Sequence, residues 1–291
     1  MTGMQRTPEG TPPIMRLGTS SFSESDWIGP FYPKGTKPSD FLIHYAARYT
    51  TVEIDATYYA IPSRRTVEGW RRKTPDGFLF SAKFPRSIVH GGDGPRSNGA
   101  RILLPEVTYG DRDRFLETMS ALGDRLGPLV LQFPYFARDV FASPTEFMDR
   151  LERFLADLSA DYRYAVEIRN RAWLSPGFAD LLRRYRVALA LVDQAWMPHG
   201  DELMGKLDPV TADFVYIRLL GDRKEIEALT TTWDKEVIDR RERLERWADL
   251  VARLVERRVE TLIYVNNHYA GHAPATADRL HDMISQRLGG R

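Results

Sequence analysis

Eight short apolar runs recur along the chain, and nearly every one ends in a polar or charged residue. They cover residues 14–22, 51–59, 79–85, 128–134, 162–169, 187–193, 214–221 and 260–268. Segments with helical spacing fill most of the gaps. Alternation of this kind argues for a parallel sheet flanked by helices, and eight units favour closure. The fold class expected is therefore α/β, a closed (β/α)8 barrel of the TIM type. In such a barrel every strand's C-terminal end opens on one rim, where ligands bind and chemistry occurs. The chain has 291 residues, and barrels of about 250 residues form single domains. One barrel domain is expected over residues 14–291. Residues 1–13, polar and rich in Thr, Pro and Gly, read as a tail that frays. No Gly-x-Gly-x-x-Gly follows the first run, which counts against a dinucleotide fold. An open doubly wound sheet is the competing architecture.

Helices are expected over residues 38–49, 63–73, 111–126, 144–159, 176–185, 234–258 and 274–288. In residues 234–258 one stripe holds Val237, Leu244, Trp247, Val251 and Leu254. Arg240, Arg241, Glu242 and Glu245 take the other faces, as on a solvated outer helix. The Gly-rich stretch 86–108 reads as a loop. Its Gly91-Gly92-Asp93-Gly94 lacks the Lys-Ser/Thr ending of a phosphate loop and suits a mobile lid.

Charge and composition remove several classes. Lys and Arg number 41 against 40 Asp and Glu, so no global charge recruits nucleic acid or a membrane surface. The absence of Cys excludes disulfides, thiol nucleophiles and thiolate metal sites, and fits a reducing compartment. The tail lacks the apolar stretch of a secretory leader. The apolar runs fall far short of the roughly 20 residues that span a bilayer. A cytoplasmic protein without membrane contact is expected, its oligomeric state open.

Strand alternation sorts the polar residues. Glu53 and Asp55 share one face of their run, as do Glu167 with Arg169, Tyr216 with Arg218, and Tyr264 with Asn266 and His268. Asn267 points the opposite way. Val52, Ile54, Val166, Ile168 and Ile217 occupy the other face, which packs on helices. The polar set thus points into the barrel mouth, where charges are costly unless they pair or meet a ligand. Pairing gives an internal network, with Glu167 on Arg218 or Arg169 and Asp193 capping a helix. A ligand gives a binding site.

For the second reading, Glu53 and Glu167 are the general acid/base candidates, because a rim carboxylate near a cation is tunable. Lys83 clamps an anion, forms a Schiff base, or neutralises Glu53. Arg169 and Arg218 suit a carboxylate or phosphate. Gln132, Asn266 and Asn267 orient polar groups, and Asp193 converges with them. Tyr58 and Trp27 stand among aromatics that stack a sugar or base, or cover the core. His90 and His268 lie beside the rim. No cofactor is predicted; His268 with Asp193, Glu53 or Glu167 is the one set suited to a divalent cation, and no His-Glu-x-x-His supports it. No Gly-x-Ser-x-Gly elbow occurs.

The joint order of several motifs resembles the YecE-like family, a domain of unknown function, over nearly the whole chain. They are Trp27-Ile28-Gly29-Pro30-Phe31-Tyr32-Pro33, Val52-Glu53-Ile54-Asp55-Ala56-Thr57-Tyr58-Tyr59, Phe80-Ser81-Ala82-Lys83 and Leu131-Gln132-Phe133-Pro134. Val166-Glu167-Ile168-Arg169, Tyr216-Ile217-Arg218 and Tyr264-Val265-Asn266-Asn267-His268 complete the series. The resemblance implies a barrel of the triosephosphate-isomerase type and supplies no reaction. Gly18-Thr19-Ser20-Ser21-Phe22 departs from the family's Gly-x-Ser-Gly-Trp, and Asn170 and Leu220 replace frequent histidines.

Three functions compete on these residues. The first is an acid/base enzyme for a small anionic substrate, phosphorylated or carboxylated and sugar-like. The second is a nucleic-acid enzyme or binder, which a basic groove extending beyond the mouth would favour. The third is a non-catalytic ligand-binding protein.

Overall fold

The computed structural model describes residues 15–289. The expected tail and Ile14 lie outside the described residues. Every apolar run contains a strand: β1 Met15–Thr19, β2 Thr51–Ile54, β3 Leu79–Lys83, β4 Leu126–Gln132, β5 Tyr164–Glu167, β6 Ala188–Asp193, β7 Phe214–Leu219 and β8 Glu260–Val265. They form one eight-stranded sheet in the order β1-β8-β7-β6-β5-β4-β3-β2, with all pairs parallel. Ten helices are described: α1 Phe41–Ala46, α2 Arg64–Arg72, α3 Arg86–Val89, α4 Pro105–Met119, α5 Pro144–Ala156, α6 Pro176–Arg184, α7 Gly200–Met204, α8 Arg223–Glu227, α9 Arg241–Glu256 and α10 Ala273–Gly289. The architecture is a single-domain (β/α)8 barrel.

β1 and β2 end the hydrogen-bonded order, and a side chain joins them. The Tyr45 hydroxyl of α1 accepts from the Thr19 N–H at 2.8 Å and donates to the Thr51 carbonyl at 3.1 Å. It satisfies a buried donor and acceptor that would otherwise lack strand partners. Gly18 allows this approach, since a Cβ there would lie 2.1 Å from the Thr51 oxygen.

Strand alternation separates two apolar clusters. Leu79, Val130, Ala165, Ala188, Ala190, Phe214, Tyr216, Leu262 and Tyr264 fill the barrel interior. Val52, Ile54, Val166, Ile168 and Ile217 pack outward with the helices, as alternation requires. Small Ala165, Ala188 and Ala190 leave room for the large rings, and Tyr216 and Tyr264 pack with their ring centroids 5.0 Å apart and their planes tilted by 36°. Below the mouth the Tyr264 hydroxyl bonds Thr51 Oγ1 at 2.7 Å and Ser81 Oγ at 2.8 Å.

The helices differ from expectation in three places. α4 starts at Pro105, inside the stretch read as loop; proline at a first helical turn loses no hydrogen bond there. α9 starts only at Arg241, so Val237 is not in its stripe, and the Val237 N–H donates to the Ala270 carbonyl at 2.7 Å. The short α3, α7 and α8 carry too few turns for a periodicity to register.

Candidate functional site

The C-terminal strand ends carry two layers of polar residues, offset by two positions along each strand. In the lower layer Arg218, only 1% exposed, lies between Glu53 and Glu167, both fully buried. Its Nη2 and Nε donate to Glu53 Oε1 at 2.7 and 3.2 Å. Its Nη1 donates to Glu167 Oε2 at 2.5 Å and to Gln132 Oε1 at 2.8 Å. The Tyr216 hydroxyl donates to Glu53 Oε2 at 2.7 Å.

Burial pushes both carboxyls up, but nearby cations outweigh it. Arg218 and Lys83 bring Glu53 down to about 2, and Arg169 with Arg218 lowers Glu167. Both glutamates are ionised at neutral pH and closed off from solvent. The layer is an internal ion network whose charges are compensated and hydrogen-bonded, the condition under which buried ions are tolerated.

The upper layer is different. Asp55 follows β2 on the same face as Glu53, with a side chain 32% exposed, and Lys83 Nζ lies 2.6 Å from its Oδ1. Lys83 reaches Glu53 only at 3.9 Å. Desolvation raises the Asp55 carboxyl; Lys83 opposes it and the Glu53 charge adds to it, so that it is pushed up to about 6. Arg169 holds Glu167 Oε1 through Nε at 2.5 Å and bonds Gln194 Oε1 through Nη1. Its Nη2 has no partner among the described residues. Tyr58 stands close enough to Arg86 and Arg169 that both oppose the rise that burial gives its phenol.

On the β1–β8 side, a cavity of about 160 Å³ is lined by Ser20, Asp55, Trp233, Asn266 and His268, among others. Asn266 Oδ1 accepts from the His268 N–H at 2.9 Å and lies 2.6 Å from His268 Nδ1. The Asn266 amide nitrogen has no protein partner among the described residues. Neither has the buried Ser20 hydroxyl.

Several expectations are corrected by this geometry. Asp193 does not join the mouth: with Leu191 it lies on the outer face of β6, while Ala190 faces the interior. Its carboxylate accepts from Trp247 Nε1 at 2.7 Å, Tyr269 OH at 2.8 Å and Arg243 Nε at 3.0 Å. It ties α9 to the sheet. Arg218 is no ligand contact, because its donors are committed to protein. Glu53 and Glu167 are poor proton donors, because cations hold both low.

Trp27 is buried and, with Asn267, reaches the wall of the β1–β8 cavity, its Nε1 donating to Asn267 Oδ1 at 3.2 Å. Asn267 also accepts from the Ala273 N–H at 2.9 Å, so this pair orders the chain between β8 and α10. His90 ends α3, with Nδ1 3.2 Å from the Gly92 carbonyl, away from the ion network. The set of His268 with Asp193, Glu53 and Glu167 is not brought together. No group of three or more His, Asp or Glu among the described residues is arranged to hold a metal ion.

Strand alternation places Asp55 in the mouth without assigning it a role, and it assigns none to Ser20 or Gln194. Asp55 had a signal: it lies two residues beyond Glu53 on the same face, nearer the opening. Ser20 and Gln194 follow their strands and escape strand alternation.

Two further cavities lie over the loops after β3, β4 and β5. One of about 880 Å³ is bounded by residues from His90 to Ala100 and Pro134 to Val140. Another, of about 490 Å³, shares Tyr135 with it and extends to Trp173. No helix among the described residues is long and apolar enough to cross a membrane.

The sequence profile of a family described as Protein of unknown function DUF72 matches residues 16–290. UPF0759 protein YecE of Escherichia coli K12 is 33% identical over 136 residues, 47% of this chain and 44% of that protein. UPF0759 protein YunF of Bacillus subtilis is 26% identical over 171 residues, 57% and 54% of the two chains. The matches thus span about half the length of these curated relatives. A crystal structure of a DUF72 family protein from Thermotoga maritima superimposes with a TM-score of 0.69 at 29% identity, covering 94% of this chain and 99% of that one. Another from Enterococcus faecalis, at 21% identity, gives 0.67 over 94% and 96% and shares the fold.

Proposed function

This chain belongs to the DUF72 family, whose description names no reaction, and from the geometry of its barrel mouth we propose an enzyme that moves a proton on a small anionic substrate. The observation that carries this reading is the Asp55–Lys83 pair above a sealed ion network, its Asp55 side chain 32% exposed at the mouth and its Lys83 largely buried behind it. A carboxyl pushed up to about 6 exchanges a proton near neutral pH, the condition for efficient acid/base work. Lys83 favours the ionised form and offers its remaining N–H donors to an anion. Arg169 adds its unpartnered Nη2, held in place by Glu167 and Gln194. Asn266 and Ser20 offer neutral polar contacts to the rest of the substrate. Arg218, Glu53 and Glu167 act as positioning residues beneath. The cysteine-free composition fits action in the cytoplasm.

The test is depletion of metabolites from a cell extract by the purified protein, followed by mass spectrometry. Consumption of an anionic metabolite by the native protein, lost in Asp55→Asn, supports the reading. Saturable binding of an anion without turnover would identify a ligand-binding protein instead. Consumption that Asp55→Asn leaves unchanged would refute the acid/base assignment.

A further inference from the structure

The two large cavities are joined by one exposed ring. Tyr135, 65% exposed, belongs to the wall of both. The larger cavity carries Arg96 and the smaller carries Arg138 and Arg171. All three arginines are exposed, and none has an ion-pair or hydrogen-bond partner for its guanidinium among the described residues. Asp139 is the single carboxylate in either lining. A chain with a formal net charge of +1 thus gathers three free guanidiniums against one acid on its functional rim. A second exposed ring, Tyr59 at 68%, packs at 5.8 Å over Arg86, one helical turn from His90 of the groove wall.

From this arrangement we infer that the groove over the β3, β4 and β5 loops binds single-stranded nucleic acid. An exposed aromatic platform flanked on both sides by unpartnered cations matches what a strand presents, a base face between successive phosphates. Base–aromatic stacking is insensitive to sequence, and the guanidiniums follow the backbone. One phosphorylated metabolite would occupy cations on one side of Tyr135 and leave the other side empty. A duplex presents no free base face to the ring. The inference is independent of the acid/base reading of the mouth, because it concerns binding and needs no turnover.

The test uses the full chain and a fluorescein-labelled single-stranded DNA of mixed sequence, read by fluorescence anisotropy across a salt series. Binding that weakens linearly on a log–log salt plot is expected. Tyr135→Ala should weaken it by about tenfold or more. Arg138→Ala with Arg171→Ala should flatten the salt slope by about 1.4, at about 0.7 per lost phosphate contact. All three residues lie on the surface, and thermal melts coinciding with the native protein confirm that the variants fold. Absence of binding at low salt overturns the inference. So does equal affinity for duplex, insensitivity to Tyr135→Ala, or competition by a mononucleotide as strong as by the strand, which would assign the groove to a small phosphorylated ligand.

Discussion

Glu53 and Asp55 stand two residues apart on one face of the second strand, and they live in opposite regimes. Glu53 is closed off beneath Arg218, hydrogen-bonded on both oxygens and held down to about 2. Asp55 has Lys83 at 2.6 Å and Arg218 only at 3.9 Å, a partly exposed side chain, and a carboxyl raised to about 6. The same contrast separates Arg218, with every bond internal, from Arg169, which keeps a free Nη2. One strand step thus converts a structural ion pair into a group able to exchange protons. The comparison says that depth in the barrel, more than residue type, decides which charges do chemistry.

The largest effect should come from the lower layer. Arg218→Met strands two ionised glutamates without their shared cation and should cost about 3–5 kcal/mol in urea denaturation. A loss under about 1 kcal/mol would show that the network is not the barrel's internal brace. Next comes the upper layer. Asp55→Asn should lower turnover by about a hundredfold or more while leaving the unfolding midpoint nearly in place. If Asp55→Asn instead unfolds the protein and leaves residual activity intact, the two layers have been assigned the wrong way round.

A smaller, purely structural effect is expected outside the barrel. Asp193→Asn keeps one acceptor oxygen, which Trp247 and Tyr269 already share, but loses the charge and the acceptor facing Arg243. About 1–3 kcal/mol of stability should go, with turnover unchanged. A selective loss of turnover would return Asp193 to the site.

The pH dependence sharpens the same contrast. Glu53 and Glu167 have depressed values in the folded state, so their contribution is fully present above the ordinary 4.5. It is lost as pH falls toward about 2, where Glu53 protonates. Asp55 runs the other way. Between its ordinary 3.8 and about 6 the folded state holds the proton more tightly, so this residue's contribution declines as pH rises. Denaturation midpoints followed with pH should therefore collapse on the acid side, and Glu53→Gln should weaken that collapse. An unaltered acid limb in Glu53→Gln would contradict the depressed value.

Much of this architecture is legible in the residues. Eight apolar runs gave eight strands, because a strand buried on both faces needs continuous apolar sequence. Alternation also told inward Glu53, Glu167 and Arg218 from outward Val52, Val166 and Ile217. It would have told Asp193 as well, since Leu189, Leu191 and Asp193 share a parity. Its polar end position in the run concealed that. Which charges are sealed could not be read, because Glu53 and Asp55 look equivalent until the side chains from four other strands are placed above them. The cavities depend on loops, where no periodicity operates, so Tyr135 reads in the sequence only as one of the rim aromatics and not as the wall shared by two cavities.

The most direct measurement is a carbon-detected NMR titration of the side-chain carboxyls in the intact protein. The account requires an Asp55 midpoint near 6, with Glu53 and Glu167 still ionised well below the ordinary glutamate value of 4.5. Asp55 titrating at its ordinary 3.8, with Glu53 or Glu167 taking up a proton near neutrality, would contradict it.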